Sequence, residues 1–423
     1  MRIALVSHEF PPQSGLGGVG TYIVRLASAL GAAGHDVTVI AGPGSGPEPR
    51  LANVSIQRVP ARYDPPVRWR PLRWLYWRLA ARWLARSNPL VWHWMSWNLA
   101  AAARLAELHA RWPFDVVEAP EHAGNALAAA GRWPVVARIH GPWECFYGIN
   151  QAAGTVLNRA LAHTERMSVR QANLLTTPSA AMADYITRRW HLPTAPRVVP
   201  NFMHVPERPP ALAGDGRIVC LGRLERFKGQ DILVEAFAKV APRHPRARLI
   251  LVGPDQWRPE PFAAVLHRLA SDPRTHRRIH LTGPVPLWRS QAELGRASIA
   301  VVPSTGFESF SFSTLEAMAA ARPIIVTDSG AMPELVDHGR CGLVVQRGNS
   351  QQLAQALDLL LRNPDHAMQL GRSAHARALA RYDTSAVLPL VLHAYGRACE
   401  IAGTAPPRLA AVAPPRALAV PAA

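Results

Sequence analysis

The chain has 423 residues, 48% of them hydrophobic, and a formal net charge of +18. Its length exceeds that of one ordinary hydrophobic core and predicts two domains, while the absence of an apolar run of about 18 residues argues against a membrane-spanning helix. The excess of positive charge indicates anionic partners: nucleic acid, a lipid surface or a phosphorylated substrate.

The N-terminus and the cysteines indicate a cytoplasmic protein. The apolar run that follows Met1 is too short for a signal peptide and predicts a first β-strand. The four cysteines (Cys145, Cys220, Cys341 and Cys399) lie far apart, without a C-x-x-C pair or metal-ligand spacing. We therefore expect reduced, structural thiols and no metal centre built on cysteine.

Short apolar runs alternate with helical patterns along the whole chain. In the first half, strands are predicted at 3–7, 37–40, 116–118, 135–139 and 174–177, with a helix at 21–33. In the second half, strands are predicted at 218–221, 249–252, 279–282, 299–303 and 324–327, with helices at 230–240 and 314–321. This alternation predicts α/β architecture with parallel sheets covered on both faces.

The pattern also suggests the domain boundaries. We predict a first doubly wound domain at 1–200, a proline-rich linker at 201–216 and a second domain at 217–385. A last helix at 386–402 is predicted to pack back across the junction. The Pro/Ala-rich tail at 403–423 is predicted to be disordered.

A glycine-rich segment after the first strand, Gly15 to Gly20, matches the dinucleotide fingerprint G-x-G-x-x-G. Gly15 lies eight positions after Ser7, too far for a tight strand-to-helix turn, and the second strand ends without an acidic residue for a ribose. A nicotinamide site is therefore disfavoured. A glycine-rich loop that leads into a helix N-terminus, which favours an anion, is the preferred interpretation.

Lys228 stands out because only two of the 47 lysines and arginines are lysines. It lies in G-R-L-E-R-F-K-G, five residues after Arg223. Arginine offers a rigid planar fork and lysine a compact charge on a flexible stem, so this pair on one glycine-bounded turn suits a diphosphate. The alternative is a helix-capping turn with solvated charges.

Two carboxylates follow about eighty residues later. Glu308 comes after a predicted strand, and Glu316 is expected about two turns into the next helix. Carboxylates so placed can bind hydroxyl groups at separate points of one elongated ligand, while the N–H groups at the helix start face a phosphate. Alone, the spacing also fits a capping carboxylate and a solvated helix residue.

Together these motifs resemble the retaining GT-B glycosyltransferases of family GT4. The resemblance rests on G-R-L-x-x-x-K-G, E-x7-E and the glycine-rich loop, and it covers most of residues 1–400. It implies a GT-B fold, two Rossmann-like doubly wound domains that face each other across a cleft. It further implies a nucleotide-diphosphate sugar as donor, lying mainly against the second domain.

The resemblance also implies roles for individual residues. Arg223 and Lys228 would bind the diphosphate, Glu316 the ribose hydroxyls and Glu308 the hydroxyls of the transferred sugar. His140 would lie near the anomeric centre. The remaining donor-side residues would be Gly17, Gly18, Ser311 and Phe312.

Two positions depart from the family pattern. Ser311 stands where the family commonly has glycine, and Phe202, Met203 and His204 replace a usual Gly-x-Asp after Asn201. The first departure affects the backbone approach to a phosphate, and the second affects a sugar or acceptor contact.

The chemistry expected of such a site agrees with these residues. Cleavage of a glycosyl–phosphate bond builds negative charge on the leaving diphosphate, which preorganised cations stabilise. These cations make a divalent metal unnecessary, and no other cofactor is expected. No covalent nucleophile stands out, so we expect front-face transfer in which a donor phosphate oxygen helps to deprotonate the acceptor.

An insert at about 61–112 is rich in arginine and tryptophan. It holds eight of the 13 tryptophans, and the stretch 65–106 has seven arginines and no acidic residue. A helical wheel of 70–86 places aromatic side chains on one face and arginines beside it, which is typical of a helix at an anionic membrane surface. The alternative is an ordinary amphipathic helix packed on the first domain.

In GT-B enzymes of this type the first domain usually binds the acceptor. The acceptor-side candidates are Glu118, His122, Trp143 and Tyr147, with Glu121 beside them. The aromatic pair is equally compatible with a place in the core or at its rim. A glycan or a lipid-linked acceptor at the cytoplasmic face of the membrane is expected.

Two other functions compete with this interpretation. A sugar-nucleotide epimerase or an inverting transferase shares the fold, but E-x7-E with G-R-L-x-x-x-K-G argues against both. A nucleic-acid-binding protein would explain the charge, yet the sequence lacks a zinc-finger, helix-turn-helix or RNA-binding signature. We therefore expect no nucleic-acid partner.

Overall fold

The computed structural model describes residues 1–11, 17–44, 47–61, 89–129, 133–147, 156–210, 214–257 and 259–404. The chain divides into two compact units. Unit 1 comprises Met1–Pro178, Ala183–Val199 and the chain from Val387 onward. Unit 2 comprises Ser179–Met182 and Pro200–Ala386.

Unit 1 is built on a seven-stranded parallel sheet in the order β3-β2-β1-β4-β5-β6-β7. Its central strands are apolar and buried on both faces, as parallel strands covered by helices must be. The strands are β1 Arg2–Ser7, β2 Asp36–Ala41, β3 Val54–Arg58, β4 Val116–Pro120, β5 Val135–Arg138, β6 Leu174–Thr177 and β7 Arg197–Val198.

Helices follow the strands of unit 1. They are α1 Gly18–Ala32, α2 Pro89–Arg111, α3 Trp143–Tyr147, α4 Val156–Val169 and α5 Ala180–Trp190, whose first residues belong to unit 2. A 3-10 segment, His122–Ala129, follows β4 and is interrupted by positive φ angles at Ala123 and Gly124. The last helix, α14 Thr384–Ile401, belongs to unit 1 from Val387 onward.

Unit 2 has a six-stranded parallel sheet in the order β10-β9-β8-β11-β12-β13. Large apolar residues fill its two faces, among them Phe237 and Phe262 in one cluster and Leu315 and Met318 in the other. The strands are β8 Arg217–Leu221, β9 Arg248–Val252, β10 Ile279–Leu281, β11 Ile299–Val302, β12 Ile324–Thr327 and β13 Leu343–Val345.

The helices of unit 2 alternate with its strands. They are α6 Gln230–Val240, α7 Phe262–Leu269, α8 Pro273–His276, α9 Leu287–Gly295, α10 Phe312–Ala319, α11 Met332–Val336, α12 Ser350–Arg362 and α13 Pro364–Tyr382. A 3-10 turn, Arg226–Lys228, precedes α6. None of the helices that the structure describes has the length and apolar character needed to span a membrane.

The two sheets have the same order around their centres. In each unit the chain moves outward from the first strand, returns to the other side of that strand and continues outward. The strand order therefore reverses between β1 and β4 in unit 1 and between β8 and β11 in unit 2. Loops at the carboxyl ends of such strand pairs are where open α/β sheets bind their ligands.

All ten predicted strands are present, with ends within two residues of the prediction. Three further strands were missed: β3, which is only partly buried, and β7 and β13, which have two and three residues. The predicted amphipathic helix at 70–86 and almost all of the predicted tail lie outside the described residues. The four cysteines are free and buried, as expected.

Candidate active site

The Lys228 turn follows β8 and is held against the loop that follows β11. The main-chain N–H of Thr305 donates to the carbonyl oxygen of Phe227 at 2.9 Å. Gly229 has a left-handed conformation with φ 68°, and a Cβ at this position would lie 2.1 Å from the carbonyl oxygen of Pro303. Only glycine permits both this conformation and this approach, so the turn and the β11 loop form one rigid corner.

Within that corner Lys228 and Glu308 form a direct ion pair. The Nζ of Lys228 lies 2.7 Å from Oε1 of Glu308, and the Ser304 hydroxyl donates to the same oxygen at 2.6 Å. The side chains are 25% and 9% exposed, so the pair is only partly screened by water. The sequence assigned these two residues to different parts of a donor; the structure brings them into contact.

The backbone of Glu308 is fixed as firmly as its side chain. Its carbonyl oxygen accepts a hydrogen bond from Ala331 N at 2.8 Å. Gly330 has φ 56°, and a Cβ there would lie 2.1 Å from the same oxygen. The loop after β12 therefore supports the Glu308 loop, a role for Gly330 that the motif analysis did not include.

Ser311 adopts the conformation of a glycine although it is not one. Its φ is 105° and its ψ is 96°, a region that costs other residues about 1–3 kcal/mol. Its hydroxyl caps α10 by accepting from Thr314 N at 3.2 Å. Phe312 is the first residue of this helix. The backbone geometry expected from glycine is thus retained with serine in place.

Glu316 is closer to the helix start than predicted. It is the fifth residue of α10, a little more than one turn in, because the helix begins only at Phe312, four residues after Glu308. The prediction of about two turns was wrong for this reason. The side chain is half-buried, on the same helix that Ser311 caps.

Arg223 is held less tightly than Lys228. Its guanidinium lies 3.1 Å from Glu225 Oε1 and donates to Gln256 Oε1 at 3.4 Å. The side chain is 49% exposed, so these contacts contribute little to stability. A weakly held, half-exposed guanidinium is free to change rotamer towards an arriving anion.

In unit 1, His140 is fixed through its backbone by Glu121. His140 N donates to both carboxylate oxygens of Glu121 at 2.9 Å, and Gly141 N donates to Oε1 at 2.7 Å. Burial, with smaller contributions from Arg138 and His122, lowers the pKa of His140 well below its ordinary value. The imidazole is therefore neutral near pH 7, and its buried Nε2 has no hydrogen-bond partner among the described residues.

Two buried carboxyl groups lie behind this loop. Burial raises the pKa of Glu121 to about 7, although several backbone N–H groups oppose the rise. Burial and the nearby Glu121 raise the pKa of Glu165 well above its ordinary value. Glu165 accepts from Trp143 N at 2.7 Å and from Ala123 N at 3.2 Å, a bridging role that the sequence did not reveal.

The glycines at the start of α1 face a carboxylate. Gly17 is the N-terminal cap of the helix, and a Cβ there would lie 3.4 Å from Glu9 Oε2. Gly20 N donates to the same oxygen at 3.3 Å. A Cβ at Gly18 would meet nothing within 4 Å. An anion that approached these glycines would therefore have to displace Glu9.

Glu118 is a structural residue of unit 1 by its contacts. Its two oxygens accept from the hydroxyls of Tyr22 at 2.9 Å and Tyr395 at 2.8 Å, and burial raises its pKa. This carboxylate joins α1 and α14 to the sheet. The structure gives it no exposed position from which to contact an acceptor.

The other acceptor-side candidates lie at the rim. His122 and Trp143 are half-buried and contact Trp94, a residue that the sequence did not single out. Tyr147 ends α3, and its side chain is outside the described residues. In the described ranges, no group of three or more His, Cys, Asp or Glu side chains is arranged to hold a metal ion.

Known families match most of the chain. A sequence model of the family described as "Glycosyl transferases group 1" matches residues 215–363, and one described as "Glycosyl transferase 4-like domain" matches residues 17–201. Together they cover every strand of the two sheets except β1.

Curated relatives match over nearly their full lengths. The chain is 29% identical over 425 residues to a glycogen synthase of Mycobacterium tuberculosis, covering 93% of this chain and 94% of that protein. It is also 29% identical over 415 residues to a GDP-mannose-dependent alpha-(1-6)-phosphatidylinositol monomannoside mannosyltransferase of the same organism, covering 91% and 96%. Among solved structures, sucrose-phosphate synthase from Thermosynechococcus elongatus superposes with a TM-score of 0.72 at 22% identity, over 93% and 98% of the chains.

Proposed function

The chain belongs to the GT4 family of glycosyltransferases with the GT-B fold, and we propose that it is a retaining enzyme using a nucleotide-diphosphate sugar. The acceptor that we propose is a glycan or a lipid-linked sugar at the cytoplasmic face of the membrane. The observation that carries this proposal is the Lys228–Glu308 pair at the strand reversal of unit 2.

This pair suits a glycosyl diphosphate because it offers opposite charges a few ångströms apart. Lys228 has two further N–H donors for phosphate oxygens, and Arg223 on the same turn provides a second cation. The free lone pairs of Glu308 accept from sugar hydroxyls. Negative charge that develops on the leaving diphosphate is then met by cations already in place, an effect worth about 10²–10³ in rate for one such contact.

A divalent metal is not required in this proposal. Arg223 and Lys228 take the place that a metal would have beside the diphosphate, and Glu308 is engaged by Lys228 and Ser304. Addition of a chelating agent to the assay is expected to leave the rate unchanged.

The neutral state of His140 fits a place beside the transferred sugar. Positive charge builds on the sugar ring as the glycosyl–phosphate bond breaks, and a protonated imidazole nearby would oppose it. Burial keeps the pKa of His140 low and removes this repulsion. Its unpartnered Nε2 remains available for a hydroxyl group of the sugar.

Retention follows if the acceptor attacks from the side that the diphosphate leaves. The bond between the anomeric carbon and the phosphate oxygen breaks, the acceptor oxygen bonds to the same face, and the acceptor proton passes to a phosphate oxygen. The residues on the donor side supply charge and position in this scheme, and no side chain becomes covalently attached.

The acceptor class is supported by composition and by relatives. The arginine- and tryptophan-rich stretch 61–112 suits an anionic lipid surface, although 62–88 lie outside the described residues. The name of one relative refers to a glycan, glycogen, and that of another refers to a phosphatidylinositol mannoside. Both kinds of acceptor are therefore retained in the proposal.

The donor proposal is tested with a panel of UDP-, GDP- and ADP-sugars, measured by thermal shift and by nucleotide release. One nucleotide class is expected to stabilise the wild type and to be turned over, and Lys228→Ala is expected to abolish both effects. Lys239→Ala is the matched control, because Lys239 is the other lysine and is exposed on α6. Unchanged donor binding in Lys228→Ala would overturn the assignment.

The retaining course is tested separately by ¹H NMR of the product formed from an α-linked donor. An α-linked product is expected. A β-linked product would show inversion and contradict this part of the proposal.

A further inference from the structure

The strand reversal of unit 1 carries a polar pair that mirrors the one in unit 2. Glu9 follows β1 and His122 follows β4, and Nε2 of His122 lies 3.6 Å from Oε1 of Glu9. Both side chains are half-buried. Because this is the position at which an open α/β sheet binds a ligand, the pair marks a second place for substrate contacts.

Two tryptophans form a wall beside this pair. Trp94 of α2 lies edge-on to His122, with ring centroids 5.7 Å apart, and edge-on to Trp143, with centroids 5.4 Å apart. Trp143 is fixed by a hydrogen bond from its Nε1 to Asn158 at 3.1 Å and by the Glu165 carboxylate at its backbone. Half-exposed indoles that are held rigidly offer apolar faces at little entropic cost.

The electrostatic character of this corner is neutral to negative. His93 shares a hydrogen bond with His8 at 2.9 Å, and burial lowers the pKa of His8 to about 4, with His93 and His122 contributing. Burial also lowers the pKa of His122. At neutral pH the imidazoles of His8 and His122 are uncharged, and the described contacts place the carboxyl groups of Glu9 and Glu165 beside His122.

We infer that Glu9, His93, Trp94, His122 and Trp143 form a subsite for an uncharged sugar ring of the acceptor. The C–H face of a pyranose packs on an indole, and its hydroxyl groups bind the Glu9 carboxylate and the ring nitrogens of His93 and His122. The contacts of the described residues bring no arginine or lysine to Glu9, and a phosphate or carboxylate would meet this carboxylate without the cation that such groups require.

The subsite lies beside the residue proposed to contact the donor sugar. His122 is close enough to His140 to contribute to its lowered pKa, and Glu121 immediately before it binds the His140 backbone. All of these contacts lie within unit 1. The inference rests on the proposed function, because it names the acceptor class of that same enzyme.

Binding without donor tests the subsite directly. Full-length protein is titrated at pH 7.5 with maltotriose, methyl α-mannoside and mannose 6-phosphate, and binding is followed by saturation-transfer NMR and calorimetry. At least one neutral probe is expected to bind, and mannose 6-phosphate at least tenfold more weakly than methyl α-mannoside. Binding of neither neutral probe, or stronger binding of the phosphate, overturns the inference.

Variants assign the binding to this corner. Trp94→Ala and Trp143→Ala are expected to weaken the neutral probe at least tenfold, whereas Trp112→Ala, whose tryptophan is 64% exposed, is the control and is expected to bind normally. Glu9→Gln is expected to reduce the difference in affinity between the neutral and the phosphorylated probes. Trp94→Phe keeps the aromatic face and serves where Trp94→Ala is destabilised; normal affinity in every tryptophan variant contradicts the inference.

The two proposals fail in distinguishable ways. The donor proposal is contradicted if Lys228→Ala binds the nucleotide sugar as tightly as the wild type does. This measurement concerns a residue of unit 2. The acceptor inference is contradicted if the neutral probes fail to bind in titrations that contain no nucleotide sugar. With donor present, the tryptophan variants are expected to raise the KM for a neutral acceptor and to leave the donor KM within about twofold; an equal rise in both contradicts the inference.

Discussion

The loops at the two strand reversals both position polar side chains, but they do so with different chemistry. In unit 2 a lysine and a glutamate pair directly at the rim, and glycines let the supporting backbone approach closely. In unit 1 the carboxylate of Glu121 binds main-chain N–H groups from within the core. The first arrangement keeps charge available for a ligand, while the second removes charge and fixes the position of a neutral histidine.

The difference matches the two partners of the proposed reaction. A diphosphate leaving group requires cations that are already in place, so the ion pair of unit 2 is partly exposed. A sugar ring that gains positive charge requires polar groups without positive charge, which burial provides at His140. Variants that disrupt each corner separately test whether the two corners are specialised in this way.

The largest effect is expected from disrupting the Lys228–Glu308 pair. Glu308→Gln keeps the size of the side chain but removes the charge that holds Nζ, and we expect kcat/KM to fall about 10²–10³-fold. Lys228→Met is expected to cause a similar loss. Steady-state kinetics at varied donor concentration measures both.

The double variant Lys228→Met/Glu308→Gln shows whether the two side chains act together or make two independent contacts. If the two residues act as a unit, kcat/KM falls about as much in the double variant as in either single variant. Fully additive losses would show that the two side chains contribute independently, and the ion pair would then be incidental to catalysis.

A large loss of stability is expected where the glycine of the Lys228 turn is replaced. Gly229→Ala places a Cβ 2.1 Å from a main-chain oxygen, so the turn must move, and we expect the free energy of unfolding to fall by about 2–4 kcal/mol. Gly339→Ala is the matched control: its φ of 77° is similar, but a Cβ there meets nothing within 4 Å. The control is expected to lose about 1 kcal/mol from backbone strain alone.

Urea unfolding of both glycine variants provides the comparison. Equal losses would mean that the close approach to Pro303 does not constrain the turn. Donor affinity is expected to fall in Gly229→Ala only, since Gly339 lies after α11 and apart from the Lys228 turn in sequence.

The buried carboxyl of Glu121 predicts a pH dependence of stability. Its pKa rises from 4.5 to about 7 in the folded protein, so its favourable contribution is complete below pH 4.5 and is lost as the pH rises through 7. For a fully buried group, a shift of this size corresponds to about 3 kcal/mol. Glu121→Gln stays neutral and is expected to lose less unfolding free energy than the wild type between pH 5 and pH 8.

Chemical denaturation of the two proteins at these pH values measures the difference. Glu118, whose pKa is also raised, titrates in both proteins and therefore cancels in the comparison. The pKa of Glu165 is raised partly by Glu121, so its change in the variant is part of the effect of removing the Glu121 charge. Identical slopes against pH would show that Glu121 is ionised throughout this range. Since the variant keeps one amide oxygen for the His140 and Gly141 N–H groups, a moderate fall in kcat is expected beside the altered pH profile.

Much of the fold was predictable because parallel strands covered on both faces leave continuous apolar runs such as Leu249–Val252. Strand β3 escaped prediction because it alternates and is only partly buried. At the candidate site, the motif spacing singled out Lys228 and Glu308 as donor-binding candidates. Their direct contact depends on β8 and β11 lying side by side, which no local pattern records.

Residues whose role depends on burial were harder to find. Glu165 lies in an ordinary amphipathic helix, and nothing in its sequence neighbourhood indicates that it bridges two loops from within the core. Glu9 had a usable signal, because it comes directly after the first strand, where side chains project from the carboxyl edge of a sheet. Glu118 shows the opposite case, an acidic residue near a predicted site that proves to be held by two tyrosines.

The smallest expected effect separates structural from functional tyrosines in unit 1. Tyr395→Phe removes one of the two hydroxyls that bind Glu118 and is expected to cost about 1–2 kcal/mol of unfolding free energy, with kinetics unchanged. Tyr22→Phe removes the other hydroxyl at a similar cost. The Tyr22 ring, however, also contacts His140, with centroids 4.8 Å apart, and lies under the guanidinium of Arg138.

Only Tyr22→Phe is therefore expected to lower kcat, and by a modest factor of about two to five. The phenylalanine ring keeps its contacts with His140 and Arg138 but is no longer fixed by a hydrogen bond to Glu118. Thermal unfolding and steady-state kinetics of the two variants give the comparison. If both variants lower kcat equally, the Glu118 network as a whole supports catalysis, and the loop carrying His140 and the helix carrying Tyr395 do not have separate roles.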